Sequence, residues 1–481
     1  MTLLADPTLA LLLSLLAIGA MAALILHYRT VLLGYTFFSF FNIASASLTA
    51  FLVATGFNLT SPWLTADHLR VINYSALGLI AFSIGVWLAW RPLHRKEIAT
   101  IWQLQALPSQ RALSVDQFET YRSALPWLNL RFAGLCLGIS VAIYLLAPLA
   151  YSIPTLRAIW SNFYSLLPLG MLTILLVCQI NRNYEPLIFS LAIFIPLALL
   201  NAVNTGHIGV GGSFMVQLLV VATFALSIRL RTLPIFLVGT LVLTSLLVGW
   251  LASRNLIRSG DLREYGQVER ITVFLREFTY VSPFELTPEQ VQETVRMRVD
   301  MTDILAAQVF YQPQFEPYAY GATIANDLAV SLVPRFFWPD KPQIVGGSSF
   351  VTRFTGIEFA EGTSVGLPYQ FELYANGGVP VVVLGLFALG WLTARLELYT
   401  VTKKLSLPWF LVVANLAYMV ANGAQTIVVL IVAVIAGSVG YYVLGYLLMS
   451  VNQELDFWQE TGSPPTGLED PGMASAPSLP R

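Results

Sequence analysis

The sequence predicts an all-α polytopic membrane protein of about eleven transmembrane helices (range ten to fourteen), with one large helical loop on the outer face. Three observations predict it. The 481-residue chain is 56% hydrophobic and only 11% charged, whereas a soluble domain carries roughly 25% charged residues. Its apolar residues fall in long charge-free runs. The cations between those runs lie mostly in alternate loops.

A helix that crosses the hydrocarbon core needs about 20 apolar residues, because no backbone group there can bond to water. Runs of this kind occupy 8–26, 30–55, 71–90, 132–151, 163–180, 186–203, 209–228, 233–252, 375–394, 407–424 and 426–449. Trp87, Trp90, Trp250, Trp391 and Tyr441 stand at run ends, where amphipathic rings sit at headgroup level. The first run follows Asp6 rather than a basic segment, so it reads as a retained span and not a cleaved signal.

Loop charge sets the orientation. One set of alternate loops holds twelve cations: Arg29, Arg91, Arg95, Lys96, Arg111, Arg122, Arg182, Arg229, Arg231, Arg395, Lys403 and Lys404. The short loops of the other set hold Arg70 and Arg157. The positive-inside rule then places the N-terminus outside and the C-terminus inside. Four regions follow: an eight-span bundle over 1–252, a large periplasmic loop over 253–372, three spans over 373–450 and a disordered cytoplasmic tail over 451–481. The basic connector 91–126 reads as a surface beside anionic lipid.

Several function classes fall away. A net charge of -1 gives no electrostatic case for a nucleic-acid partner. The two cysteines, Cys136 and Cys178, lie in apolar runs and read as small hydrophobes. Neither a metal-ligand cluster nor a glycine-rich phosphate loop after a strand is present, so no metal and no cofactor is expected. The eleven runs contain no Asp, Glu, Lys, Arg or His, which counts against ion-coupled transport.

The missing charge sits in 253–372, with ten Arg/Lys and fifteen Asp/Glu. A helix is expected over 288–308, with Thr287 as cap, Pro288 first, and Val291, Val295, Val299 and Ile304 as its apolar stripe. The stretch 318–334 reads as an amphipathic or re-entrant helix against the outer leaflet. Guanidinium forks match phosphate oxygens, which makes Arg254, Arg258, Arg276, Arg335, Lys341 and Arg353 candidates for phosphate capture. The loop's aromatics, Trp338, Tyr320 and Tyr374 among them, offer faces for a lipid tail or a sugar. A site joining both kinds of side chain fits a lipid-linked phosphorylated glycan. The plainer reading is that the aromatics anchor the loop at the interface while the cations pair with nearby carboxylates.

The run Val333-Pro334-Arg335-Phe336-Phe337-Trp338-Pro339-Asp340-Lys341-Pro342 precedes Gly346-Gly347, and Glu372-Leu373-Tyr374-Ala375-Asn376-Gly377-Gly378 enters a span. Over about 250–395 the chain thereby resembles the Wzy-type O-antigen and exopolysaccharide repeat-unit polymerases, relatives of the O-antigen ligases. These are similar to multi-span C-type glycosyltransferases. The resemblance implies an enzyme of the bacterial inner membrane that works on its periplasmic face. It would transfer a growing glycan from undecaprenyl pyrophosphate to the next lipid-linked repeat unit. Chain-length regulator and flippase proteins are possible partners. Arg335 and Gly346 have the Arg-x10-Gly spacing of some members, whereas Arg254 is followed by Gly266, one residue too far.

The site expected on this basis has Arg335 and Arg254 holding pyrophosphate and Glu372 taking the acceptor proton. Lys341, Arg258, Arg276, Arg353, Asp340, Tyr374, Asn376 and Trp338 would contact substrate. Glu372 also has an ordinary role open to it, as a negative charge at a helix N-terminus, and Asn376 with Gly377-Gly378 would shape the turn into the span. Ligases pair a loop Arg with a loop His; the large loop has no His, and His68 and His207 read as interfacial. A ligase-like transferase and a lipid-linked oligosaccharide flippase are the alternative functions.

Overall fold

The computed structural model describes residues 2–28, 66–91, 129–151, parts of 170–193, positions 269, 272, 273 and 276, 302–333, 338, 348–359, 367–402 and parts of 442–450. Every regular element among them is helical. They are α1 (Pro7–Tyr28), α2 (Ala66–Trp90), α3 (Leu130–Tyr151), α4 (Thr302–Tyr311), α5 (Ala322–Leu332), α6 (Ser348–Thr355) and α7 (Tyr369–Thr402). Two helices, Ala66–Trp90 and Tyr369–Arg395, are long and apolar enough to cross a membrane; Thr8–Met21 and Leu130–Ile143 are shorter apolar stretches.

Local chemistry explains where the helices begin. Asp6 Oδ1 accepts the backbone N–H groups of Thr8 and Leu9, at 2.7 and 3.2 Å, with Pro7 in the first helical position. Asn129 Oδ1 caps α3 through the N–H of Phe132 at 2.7 Å. Of the expected spans, 8–26, 71–90 and 132–151 coincide with α1, α2 and α3. Helical residues also appear within 163–180, 186–203 and 426–449. The spans 30–55, 209–228, 233–252 and 407–424 lie outside the described residues, as do the connector 91–126 beyond Arg91 and the tail 451–481.

The centre of the described structure is the pairing of α2 with α7. A Cβ on Gly85 would meet the backbone oxygen of Phe387 and, at 2.9 Å, the backbone nitrogen of Trp391; one on Gly390 would meet the oxygen of Phe82. Close backbone approach through small residues is how helices pack where lipid removes the hydrophobic drive between them. Further along, a Cβ on Gly78 would lie 2.5 Å from Leu386 and 3.5 Å from Val382. Positions on both helices rise together, so α2 and α7 run parallel. The N-terminal ends of α1 and α2 also meet, because Asn73 Nδ2 donates to the Leu4 oxygen at 2.8 Å.

Segments from 302–359 sit at that same end. His68, at the start of α2, pairs with Asp303 of α4 at 2.8 Å. Leu305, Ala306 and Val309 of α4 and Phe350, Val351 and Phe354 of α6 join one core with α1, α2 and α7. The helix expected over 288–308 is seen from Thr302 to Tyr311, and 288–301 lies outside the described residues. The expected helix at 318–334 is shorter, Ala322–Leu332. Eleven residues extend about 16 Å, roughly half the hydrocarbon core. Its buried positions, Thr323, Asp327 and Val330, face the protein, while Ala322, Ala325, Asn326 and Ala329 are exposed. Its half-buried positions, Ile324 and Leu328, carry the bulky apolar side chains.

Candidate functional site

The site expected from the Glu372–Gly378 segment is a broken helix. α7 begins at Tyr369, ahead of the span expected at 375–394, and is interrupted at Gly377 (φ 173°, ψ 24°) and Gly378 (φ 68°, ψ -156°). The Gly378 conformation belongs to a region that essentially only glycine enters. The second half resumes with Pro380 near its start, where a missing N–H costs nothing. A Cβ on Gly385 would lie 2.5 Å from Leu373 Cδ2, although residues this far apart in one straight helix are separated by about 18 Å. The first half, 369–376, therefore folds back along the second as a re-entrant segment.

All eight residues of that segment are buried. Gln370 and Glu372 are at 0% exposure, and neither amide atom of Gln370 has a hydrogen-bond partner. This corrects the expectation that the bundle is free of ionisable groups. The helix starts earlier than its apolar run, and so brings the Glu372 carboxyl into the core. Glu372 also stands in the first helical turn, where the helix dipole favours a negative charge.

The segment is held by side chains from both flanks. Gln308 Nε2 donates to the Phe371 oxygen at 2.9 Å and the Ala319 N–H to the Ala375 oxygen at 2.9 Å. Asn376 uses its amide on both sides. Its Oδ1 accepts from the Gly321 N–H (2.9 Å) and the Thr323 hydroxyl (3.0 Å), while Nδ2 donates to Thr323 Oγ1 (2.7 Å) and the Glu372 oxygen (2.8 Å). An amide offers two donors and two acceptor sites, so in this conformation Asn376 has nothing left for a sugar hydroxyl. Its role is to fix α5 and the turn before it.

An aromatic chain crosses the same place. Tyr74 stacks on Tyr374 at 5.4 Å between centroids, Tyr318 meets Tyr374 edge-on at 6.0 Å, and Tyr320 meets Tyr318 at 6.4 Å. The Tyr374 ring is thus buried between two others and not offered to a ligand here. At the head of α2, Arg70 Nη1 bonds Asp67 at 2.6 Å. Residues 67, 70, 74 and 78 share one helical face, so the Asp67–Arg70 pair lies one turn before Tyr74, which stacks on Tyr374.

The other expected site residues divide. Arg353 is exposed, pairs with Glu316 at 2.7 Å and lies over the Phe354 ring at 4.9 Å, which is the plain ion-pairing role. Arg276 is helical and exposed, and Trp338 is 39% exposed. Arg335, Arg254, Arg258, Lys341 and Asp340 lie outside the described residues, as does His207. Asp327, on α5, is buried. Sequence reasoning did not single out Gln308 or Gln370; it read Arg70 only as a short-loop cation and Tyr320 only as one of the loop's aromatic faces. The Tyr320-Gly321 pair ahead of a helix was the one available signal of a special turn.

Residues 119–400 match the family described as Domain of unknown function, DUF8712. That stretch is more than half of the chain. The chain belongs to this family. The DUF8712 match spans α3 to α6 and nearly all of α7, so the re-entrant segment and its clamps lie inside it, while Asp67, His68, Arg70 and Tyr74 lie before it. No curated protein and no solved structure matches the chain.

Proposed function

We propose that this DUF8712 protein polymerises undecaprenyl-pyrophosphate-linked oligosaccharide repeat units on the periplasmic face of a bacterial inner membrane. The observation that carries the proposal is the Glu372–Gly378 segment, a buried re-entrant helix with a carboxyl and polar amides at one end of the bundle. Broken helices at membrane depth are tolerated where protein or a cavity satisfies their backbone, and they frame substrate sites in many membrane proteins.

The parallel run of α2 and α7 supports a bundle of about eleven spans. Parallel helices require an odd number of crossings between residues 91 and 368. The five apolar runs from 132–151 to 233–252 supply an odd number, and a sixth at 318–334 would make it even. The charge bias of the loops then puts α4, α5, α6 and the hairpin outside.

In the proposed reaction an acceptor hydroxyl of the incoming unit attacks the anomeric carbon of the growing glycan. The bond from that carbon to the pyrophosphate oxygen breaks, and undecaprenyl pyrophosphate leaves with the electron pair. Arg335 and Arg254 hold the leaving group's charge, with Lys341, Arg258 and Arg276 near it. Glu372 accepts the acceptor's proton. Positioning and charge stabilisation supply most of the acceleration.

The test is reconstitution. Purified protein given lipid-linked repeat units in detergent lengthens them, and Arg335→Ala slows that lengthening by about 10²–10³-fold, as loss of an oxyanion-type donor does. Units that stay single with well-folded wild-type protein would end the proposal.

A buried carboxyl on a broken helix also suits a flippase for the same lipid-linked oligosaccharide. That reading predicts movement of the units across sealed vesicles and no lengthening in detergent.

A further inference from the structure

We infer that Tyr320 is a carbohydrate-stacking platform, presented at the outer end of the bundle to the C–H face of a pyranose ring in the glycan. It rests on the polymerase reading for the identity of that glycan. Tyr320 is 82% exposed, and its backbone sits at φ 47°, a left-handed conformation that bulky residues enter only when the surroundings force it. Here the surroundings do. The turn is tied on both sides: the Ala319 N–H donates to the Ala375 oxygen and the Gly321 N–H to Asn376 Oδ1, each at 2.9 Å, while the Ala322 N–H closes the turn onto the Ala319 oxygen at 2.8 Å. Both anchors are the last residues of the re-entrant segment.

Among the described residues the ring's aromatic neighbour is Tyr318. Tyr318 meets it at an interplanar angle of 75°, an edge contact that leaves ring area free. The result is a large aromatic side chain, fixed in place by a strained turn and left in solvent rather than buried. A tyrosine that merely anchors a loop at the lipid interface needs no such backbone, since its amphipathic ring finds headgroup depth from an ordinary conformation. A flat π face with a wet hydroxyl fits a sugar ring, whose polarised C–H groups stack while its hydroxyls stay hydrated. Inward, the aromatic chain leads through Tyr374 to Tyr74, one helical turn after the charge-balanced Asp67–Arg70 pair. A neutral polyhydroxyl ligand suits such a pair better than an anion does.

The experiment uses full-length protein in lipid nanodiscs and, as probe, glycan released by mild acid from the polysaccharide of wild-type cells. Saturation-transfer NMR titrations compare wild type, Tyr320→Phe and Tyr320→Ala. Wild type and Tyr320→Phe should bind with affinities within about twofold of each other, and Tyr320→Ala about tenfold more weakly, the order of one aromatic contact. Equal binding by Tyr320→Ala, or no saturable binding by wild type, overturns the inference. So does a Tyr320→Ala protein whose thermal midpoint in lipid falls while its affinity is unchanged, which would make the ring a membrane anchor. Whether a deletion strain still polymerises is read separately and decides the polymerase reading alone.

Discussion

Leu373 packs against Gly385 of its own helix, and that contact exists only because the chain reverses at Gly377–Gly378. A buried segment carrying Gln370, Glu372 and Asn376 is thereby laid beside a long apolar helix.

The reversal depends on Gly378. Gly378→Ala forces a side chain into a conformation that costs on the order of 1–3 kcal/mol, with Tyr318 already 3.0 Å from the new Cβ. Gly377 has an extended φ, and the Cβ of Gly377→Ala would press only on a methyl of Val381. Thermal unfolding in detergent should therefore show a clear loss for Gly378→Ala and a smaller one for Gly377→Ala. Equal losses would mean that the reversal does not rest on Gly378.

Asn376 ties the re-entrant segment to α5 and the turn before it. Asn376→Ala removes four hydrogen bonds and leaves the Gly321 N–H and the Thr323 hydroxyl without it. Buried groups stranded in this way cost about 1–3 kcal/mol each, so a loss of about 2–4 kcal/mol is expected. Hydrogen exchange should rise first in α5. Unchanged protection across 321–332 would show that Asn376 does not hold that turn.

Gly85 tests the helix pair. A Cβ there meets backbone, not a flexible side chain, so Gly85→Val should separate α2 from α7 and cost at least the 1–3 kcal/mol typical of overpacking. Gly19, with nothing within 4 Å of its Cβ among the described residues, is the control: Gly19→Val should leave the unfolding midpoint close to wild type.

Glu372→Gln separates the two roles of that carboxyl. As a base, it should lose about 10²–10⁴-fold in glycan transfer with folded protein retained. As a helix-dipole partner only, it should change stability by less than about 1 kcal/mol and leave the rate alone. Initial rates on reconstituted enzyme decide between them.

Much of this architecture is legible in the residues. Three of the spans read from charge-free runs coincide with α1, α2 and α3. The start of α7 was not legible, because apolar runs mark where lipid is met, whereas α7 begins among residues that are buried against protein and free to be polar. Tyr374 and Asn376 read as ligand contacts because aromatic and amide side chains are versatile; only packing shows that one is enclosed by Tyr74 and Tyr318 and the other spent on Thr323 and Gly321. Arg70 looked like one cation in a short loop. Its position on the face of α2 that meets Tyr374 follows from the helix pairing, which no local pattern encodes.

The measurement closest to the central claim is the lipid-linked glycan that accumulates when the gene is deleted. The polymerase reading predicts a single repeat unit on undecaprenyl pyrophosphate, facing the periplasm. A full-length chain left on the lipid would point to a ligase, and single units retained on the cytoplasmic face to a flippase; either would contradict it.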